Sequence, residues 1–174
     1  LIRLHGADGG SGYAVEFAGD AITTLPVEGR MTICNMAVEF SAFSGFCAVD
    51  SKTIQYVKDR PYSPDGENWK NASRAWLDLH SDHNAIFDKE IFINCADIQP
   101  TVSWGTNPQQ AIALNETVPN PADEPDLNRR ATMEKALSYI GLEANQSIAD
   151  VAIDAAFIGS CTNSRLSDLR AVAQ

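Results

Sequence analysis

Three observations predict a globular α/β fold that does not span a membrane. Short alternating or apolar runs, typical of strands, are separated by segments in which apolar residues recur at helical spacing. Hydrophobic residues make up 44% and charged residues 21% of the 174 positions, which is an ordinary composition for a chain with a globular core. No run of eighteen apolar residues occurs, so we expect no membrane span.

The first predicted strand and helix follow a glycine-rich turn. Residues 13–18 alternate between polar and apolar side chains and therefore predict a strand. Residues 30–44 are mostly small or apolar, and Gly45 follows them, as glycine often follows a helix end. These residues predict a largely buried helix.

Two further helices are predicted before residue 81. Asp50 or Ser51 can cap a short helix that Pro61 ends. The next segment predicts an amphipathic helix to about His80, because apolar residues recur there at helical spacing. The recurring residues are Trp69, Ala72, Trp76 and Leu79.

The middle of the chain combines one predicted strand with two irregular segments. Residues 86–94 are rich in strand-forming side chains and predict a strand. Residues 98–110 contain Pro, Gly and Asn and predict an ordered loop. Residues 115–126 contain three prolines and four acids and are the best linker candidate. We therefore expect one domain over residues 1–124 and the start of a second over residues 125–174.

The last third predicts a helix, a strand and a turn. Leu127–Ile140 has helical character, and Gly141 closes it with Leu142 placed for the contact of a Schellman motif. Residues 151–158 predict a buried strand, and the turn after it leads into a closing helix. Nothing terminates that helix before the chain stops, so we expect a piece of a longer protein.

Charge and cysteine spacing exclude several functional classes. The formal net charge of −10 disfavours nucleic acid as a partner, because such binding depends on Lys and Arg that neutralise phosphates. The cysteines are widely spaced and never form a C-x-x-C pair, which argues against a zinc knuckle or a disulfide scaffold. This usage suits a reducing compartment, and we expect the cytoplasm. The four cysteines are Cys34, Cys47, Cys95 and Cys161.

Cys161 is the cysteine with the most distinctive surroundings, in the polar turn "GSCTNS" between the last predicted strand and helix. It could be a nucleophile, a metal or cluster ligand, or a buried structural residue. A nucleophile needs a base, and the histidines offer no clear partner. His80 and His83 have a spacing that could bind a metal, but no third ligand is in view, and His5 has no assigned role.

Three stretches, "GGSGYAVEFAGDAI", "GRMTICNMAVE" and "FIGSCTNSRLSDLRAVA", resemble the aconitase superfamily in that order. The run "VSWGTNPQQ" is similar to the large subunits of 3-isopropylmalate dehydratases. The resemblance extends along nearly all of the chain, which corresponds to well under half of such a subunit. Ser11 and Tyr13 stand where relatives often have Thr and His. The resemblance implies a three-layer α/β/α domain followed by the beginning of a second α/β domain.

The resemblance also implies an activity and a cofactor. The 3-isopropylmalate dehydratases that the chain resembles are hydro-lyases of leucine biosynthesis. They interconvert 2-isopropylmalate and 3-isopropylmalate by removing and re-adding water. A [4Fe–4S] cluster held by three cysteines supplies an open iron as a Lewis acid. Cys161 matches the first ligand, and the other two belong to a C-x-x-C pair that this chain lacks. We therefore expect the isolated chain to be free of the cluster and inactive.

Asn35 and Glu39 match the superfamily positions that lie against the cluster and its bound water. On a continuous helix they would project from one face, because they are four residues apart. Trp104 and Asn107 could shape the substrate pocket, although a rigid structural loop is the favoured role.

The implied partners are a small subunit and a hydroxy-dicarboxylate substrate, with no nucleic acid and no membrane. The alternatives are homoaconitase, aconitase itself, a non-catalytic module of the same fold and a cysteine-dependent transferase.

Overall fold

The computed structural model of the chain describes residues 1–160 and 162–174, and it confirms the α/β class. Within this described part the helices are α1 (Ile2–His5), α2 (Asp20–Thr24), α3 (Val27–Met36), α4 (Ser51–Val57), α5 (Gly66–Leu77), α6 (Leu127–Ile140) and α7 (Leu166–Val172). The strands are β1 (Ala14–Glu16), β2 (Ser44–Phe46), β3 (Thr101–Ser103) and β4 (Ala111–Ala113). Short 3-10 helices are Ala37–Phe40, Cys95–Asp97, Pro121–Asp123 and Ile148–Asp150.

The chain divides into two compact units. The first unit comprises Leu1–Gly9, Glu39–Ser41 and Ala96–Gln174, and the second comprises Gly10–Val38 and Ala42–Cys95. The domain boundary expected after residue 124 stays a prediction. Among the described residues, no helix combines the length and the apolar character needed to cross a membrane.

The second unit is built on a parallel pair of strands. β1 lies beside β2, with Val15 opposite Gly45, and α2 and α3 form the connection between them. A parallel pair requires such a crossover, because its strands run in the same direction. The predicted strand at 13–18 is thus confirmed, with a shorter extent.

The helix predicted over residues 30–44 has different ends. α3 begins after Pro26, which occupies the N-cap position, and it ends at Met36. A 3-10 turn continues to Phe40, and Ser41 then adopts a left-handed φ of 60° that stops the helix. Ser44 lies in β2, so the predicted C-terminal end was wrong.

Two short helices follow, as predicted, but each ends early. Asp50 caps α4 by accepting a hydrogen bond of 3.0 Å from the Thr53 amide, and α4 ends at Val57, before Pro61. In α5, Trp69 and Trp76 pack edge to face with ring centroids 5.9 Å apart. α5 ends at Leu77 rather than near His80.

Two predicted strands were wrong. Residues 86–94 and 151–158 contain no strand, and their large apolar side chains are mostly exposed. Ile86 and Phe92 are 97% and 98% exposed, and Phe157 is 93% exposed. A strand exists only when a neighbouring strand accepts its hydrogen bonds, and the residue pattern does not supply that neighbour.

The first unit has its core between a hairpin and α6. β3 and β4 pair in antiparallel fashion. The prediction of residues 98–110 as a loop alone was wrong, because β3 lies within this segment and β4 follows it directly. The residues buried together in this core are Trp104, Ile112, Val118, Ala136, Leu137 and Ile148. Val118 is fully buried although it lies within the hydrophilic stretch 115–126.

The helix α6 confirms its predicted bounds. Asp126 caps its first turn by accepting a hydrogen bond of 2.8 Å from the Arg129 amide. Gly141 adopts a left-handed φ of 81°, and the amides of Gly141 and Leu142 both donate to the Leu137 carbonyl. Leu142 packs against the core, as the Schellman motif predicts.

A buried ion pair links α3 to the start of α4. Arg30 is 5% exposed, and its guanidinium donates to Asp50 Oδ2 at 2.6 Å and to the Thr23 carbonyl at 3.0 Å. The hydrogen bond from Arg30 and those from Thr53 lower the pKa of Asp50 from 3.8 to about 2, against the opposing effect of burial.

We expect Asp50→Asn to lower the free energy of unfolding at neutral pH by about 2 kcal/mol, since Arg30 loses its counter-charge while Asn can still cap α4. Because the folded pKa of Asp50 is depressed, its stabilisation is complete above about pH 4 and is lost as the pH falls towards 2. Urea unfolding at several pH values should show a smaller acid loss in the variant. Asp126→Asn, which also keeps a cap, is the control, and an equal effect of both variants would contradict the expectation.

We expect Gly45→Ala to destabilise the protein by about 1–3 kcal/mol through overpacking. A Cβ at Gly45 would lie 2.7 Å from Ala37 Cβ and 3.0 Å from the Cys34 carbonyl oxygen. Gly29→Ala is the matched control in α3, because its Cβ would approach no atom closer than 3.6 Å and alanine favours the helix. Denaturant unfolding of both variants measures the difference, and similar stabilities would show that the contact yields without cost.

Candidate functional site

Asn35 lies in the last turn of α3, one residue before the helix ends. Its side chain is exposed, so its amide can meet a ligand. The Arg30–Asp50 ion pair holds the same helix one turn earlier. The ion pair therefore anchors α3 before the turn that carries Asn35.

Glu39 lies in the 3-10 turn that follows α3, and it is also exposed. The prediction of one continuous helix through both Asn35 and Glu39 was wrong, because the α-helix ends at Met36. A 3-10 turn advances 120° per residue instead of 100°, so the face argument for an α-helix does not apply to this pair. Their roles at a catalytic centre stay predictions.

The structure brings together two cysteines that the sequence kept apart. Cys34 Sγ, in the last turn of α3, lies 3.8 Å from Cys47 Sγ, which follows β2 directly. Both side chains are partly buried. Sequence reasoning missed this pair, since 13 positions separate the two residues and only the strand pairing makes them neighbours.

The environment of Cys47 keeps its thiol protonated. Burial raises the pKa of Cys47 to about 12, and the neighbouring Cys34 thiol adds to the effect. Arg30 acts in the opposite direction, whereas the Glu16 carboxylate opposes ionisation. Cys47 is therefore a poor nucleophile at neutral pH.

An open depression lies beside β1 in the second unit, with a volume of about 320 Å³. Ser81 Oγ donates to Glu16 Oε2 at 2.5 Å on its wall, and Asp78 and His80 also line it. The cavity is shallow, and the carboxylates of Glu16 and Asp78 line it, so it does not fit an anionic substrate.

Cys161, the implied cluster ligand, lies outside the described residues. Among its described neighbours, the Ser160 amide donates to Ser164 Oγ at 2.9 Å. The Thr162 amide donates to Ser160 Oγ at 3.1 Å. The turn leads to α7, whose first turn is capped by Asp168 accepting from the Arg165 amide at 2.9 Å.

Trp104 and Asn107, two further candidate residues, lie in packed or hydrogen-bonded surroundings. Trp104 is 5% exposed in the core of the first unit. Asn107 Oδ1 accepts from the Gln109 amide at 3.0 Å, and the amides of Thr106 and Asn107 both donate to the buried Gln110 Oε1. These hydrogen bonds hold the loop together, and the roles of Trp104 and Asn107 stay predictions. His5 is exposed at the end of α1.

The described residues do not fit a three-thiolate cluster. In residues 1–160 and 162–174, no group of three or more His, Cys, Asp or Glu side chains is placed to hold a metal ion. Cys34 and Cys47 adjoin each other, but Cys95 is exposed, and its contact is the Ile93 carbonyl at 3.9 Å. We derive no chemical step through a cluster from these residues.

A model of a known protein family matches the given chain over all of its residues. The family model described as the aconitase family (aconitate hydratase) matches residues 1–174. The match thus includes the α3 segment with Asn35, the 3-10 turn with Glu39 and the "GSCTNS" turn. The chain belongs to the aconitase family.

Proposed function

We propose that this chain is an internal segment of the large subunit of a 3-isopropylmalate dehydratase. The family match over residues 1–174 supports a hydro-lyase. The Trp-Gly-Thr-Asn-Pro run at residues 104–108 carries the choice of the isopropylmalate branch, because it resembles those large subunits. The amides of Thr106 and Asn107 donate to Gln110 Oε1, and these bonds hold the backbone of the run together.

The proposed reaction removes water from 2-isopropylmalate and adds it back across the same two carbons in the opposite sense. No net oxidation or reduction takes place. Asn35 and Glu39 are proposed to hold the water that leaves and returns, through an amide and a carboxylate. Their exposure at the end of α3 and in the turn after it supports this role, since neither polar group is buried in the protein.

The cofactor and partners extend beyond this chain. The family's [4Fe–4S] cluster would be held by Cys161 and two cysteines that are not in these 174 residues. The small subunit is the proposed partner. Because the net charge is −10, the dicarboxylate substrate must be attracted by local arginines rather than by the overall field. We propose the cytoplasm as the compartment, because the wide spacing of the cysteines suits a reducing environment.

The parent subunit tests the assignment directly. It is co-expressed with its small subunit, reconstituted anaerobically with iron and sulfide, and assayed on 3-isopropylmalate, homoaconitate and cis-aconitate. A visible cluster absorption with turnover of 3-isopropylmalate supports the proposal. Turnover of cis-aconitate alone would assign the aconitate hydratase activity that the family description names. Absence of the cluster absorption would reject a hydro-lyase.

We expect Glu39→Gln in the parent to lower kcat by at least about 100-fold, because the variant keeps the shape of the side chain but loses a base. The KM for 3-isopropylmalate should change far less, since Glu39 is proposed to act on water and not on the substrate carboxylates. Glu28→Gln, in the first turn of α3, is the matched control and should retain wild-type kcat. Equal kcat values for the two variants would remove Glu39 from the mechanism.

A further inference from the structure

The Cys34–Cys47 pair is not used by the proposed reaction, yet its geometry is specific. The two sulfur atoms lie 3.8 Å apart, in direct contact. Both residues are partly exposed, and neither is in a disulfide. Cys95, in the same unit, is an exposed cysteine whose contact is a backbone carbonyl.

The backbone brings these sulfurs together at a point where a side chain is missing. A Cβ at Gly45 would lie 3.1 Å from the Cys34 Cα, so the end of α3 can approach β2 only because residue 45 is glycine. Cys47 is two residues further along and follows β2 immediately. The contact between the thiols thus results from the packing of two regular elements.

We propose that Cys34 and Cys47 form a reversible disulfide, so that the end of α3 carries a redox site beside Asn35. The oxidant class is a low-molecular-weight disulfide, which reacts by thiol–disulfide exchange. A disulfide requires the sulfurs to approach from 3.8 Å to about 2.05 Å, and the proposal assigns this approach to rotation of the two side chains.

The exchange balances in two steps. Cys34 gives its proton to a solvent base and attacks one sulfur of the small disulfide, which forms a mixed disulfide and releases one small thiolate that takes up a proton. Cys47 then gives its proton to a solvent base and attacks the Cys34 sulfur, which releases the second small thiolate. Two protein thiols are oxidised and one small disulfide is reduced to two thiols, and an excess of the small thiol reverses both steps.

Both steps need a base, and burial, which raises the pKa of Cys47, makes the second step demand more of it. The charged and titratable groups that act on Cys47 are Cys34 and Arg30 from α3 and Glu16 from β1. The disulfide would join the end of α3, directly beside Asn35, to the residue that follows β2. Any consequence for turnover rests on the proposed function, whereas formation of the disulfide does not.

The test is thiol chemistry on the parent subunit that contains this chain, and it is independent of catalysis. The subunit is incubated without oxygen at about pH 8.5 with oxidised glutathione, alkylated, and digested with trypsin. Residues 31–52 form one tryptic peptide with both Cys34 and Cys47, because cleavage sites follow Arg30 and Lys52. Cys95 lies in peptide 90–129 and Cys161 in peptide 136–165.

We expect peptide 31–52 to lose two hydrogen atoms and to escape alkylation, with at least about a tenfold excess over peptides cross-linked to Cys95 or Cys161. Reduced glutathione should restore alkylation. Cys47→Ser, or Cys47→Ala if the first variant does not fold, should leave a glutathione adduct on Cys34. The matched control Cys95→Ser should still form the internal disulfide.

Two results would overturn the proposal. One is a wild-type peptide 31–52 with glutathione adducts and no internal disulfide. The other is cross-linking of Cys34 to Cys95 or Cys161 as often as to Cys47. Neither result bears on the turnover of the parent enzyme, so failure of the redox site and failure of the proposed activity are distinguishable.

Discussion

The close approach of α3 to β2 at Gly45 is the constraint on which the second unit depends. An added Cβ at that position would lie 2.7 Å from Ala37 Cβ and 3.1 Å from Cys34 Cα, so the helix and the strand touch through their backbones. The approach sets the parallel pairing of β1 with β2 and places Asn35 at the free end of the helix. The contact between the Cys34 and Cys47 thiols follows from the same packing.

The Arg30–Asp50 pair complements this apolar contact with a polar one on the same helix. The Arg30 guanidinium donates to the Thr23 carbonyl in α2 and to Asp50, which caps α4. One buried charge on α3 therefore connects α2, α3 and α4. A buried cation requires a partner in a fixed position, and that requirement limits how α3 can rotate. The helix that carries Asn35 is therefore held by the Arg30–Asp50 pair and by the contact at Gly45.

The sequence predicted the bounds of an element only where residues close in the chain cap or end that element. α6 has its predicted bounds because Asp126 and Gly141 satisfy the free amides and carbonyls of that helix from within a few residues. The segments at 86–94 and 151–158 have the composition of strands but lack a pairing neighbour, which the sequence pattern does not specify. For α3, the pattern located the helix but not its end, which depends on the left-handed φ of Ser41.

By itself, the sequence determined the α/β class, the family and the motif positions of Asn35, Glu39 and Cys161, because these depend on residue identity and order. Only the tertiary structure decided that Asn35 and Glu39 do not share one α-helix and that Cys34 meets Cys47. The reason is physical: a helix end and a contact between residues 13 positions apart depend on how α3 packs against β2, and packing is a property of the folded chain.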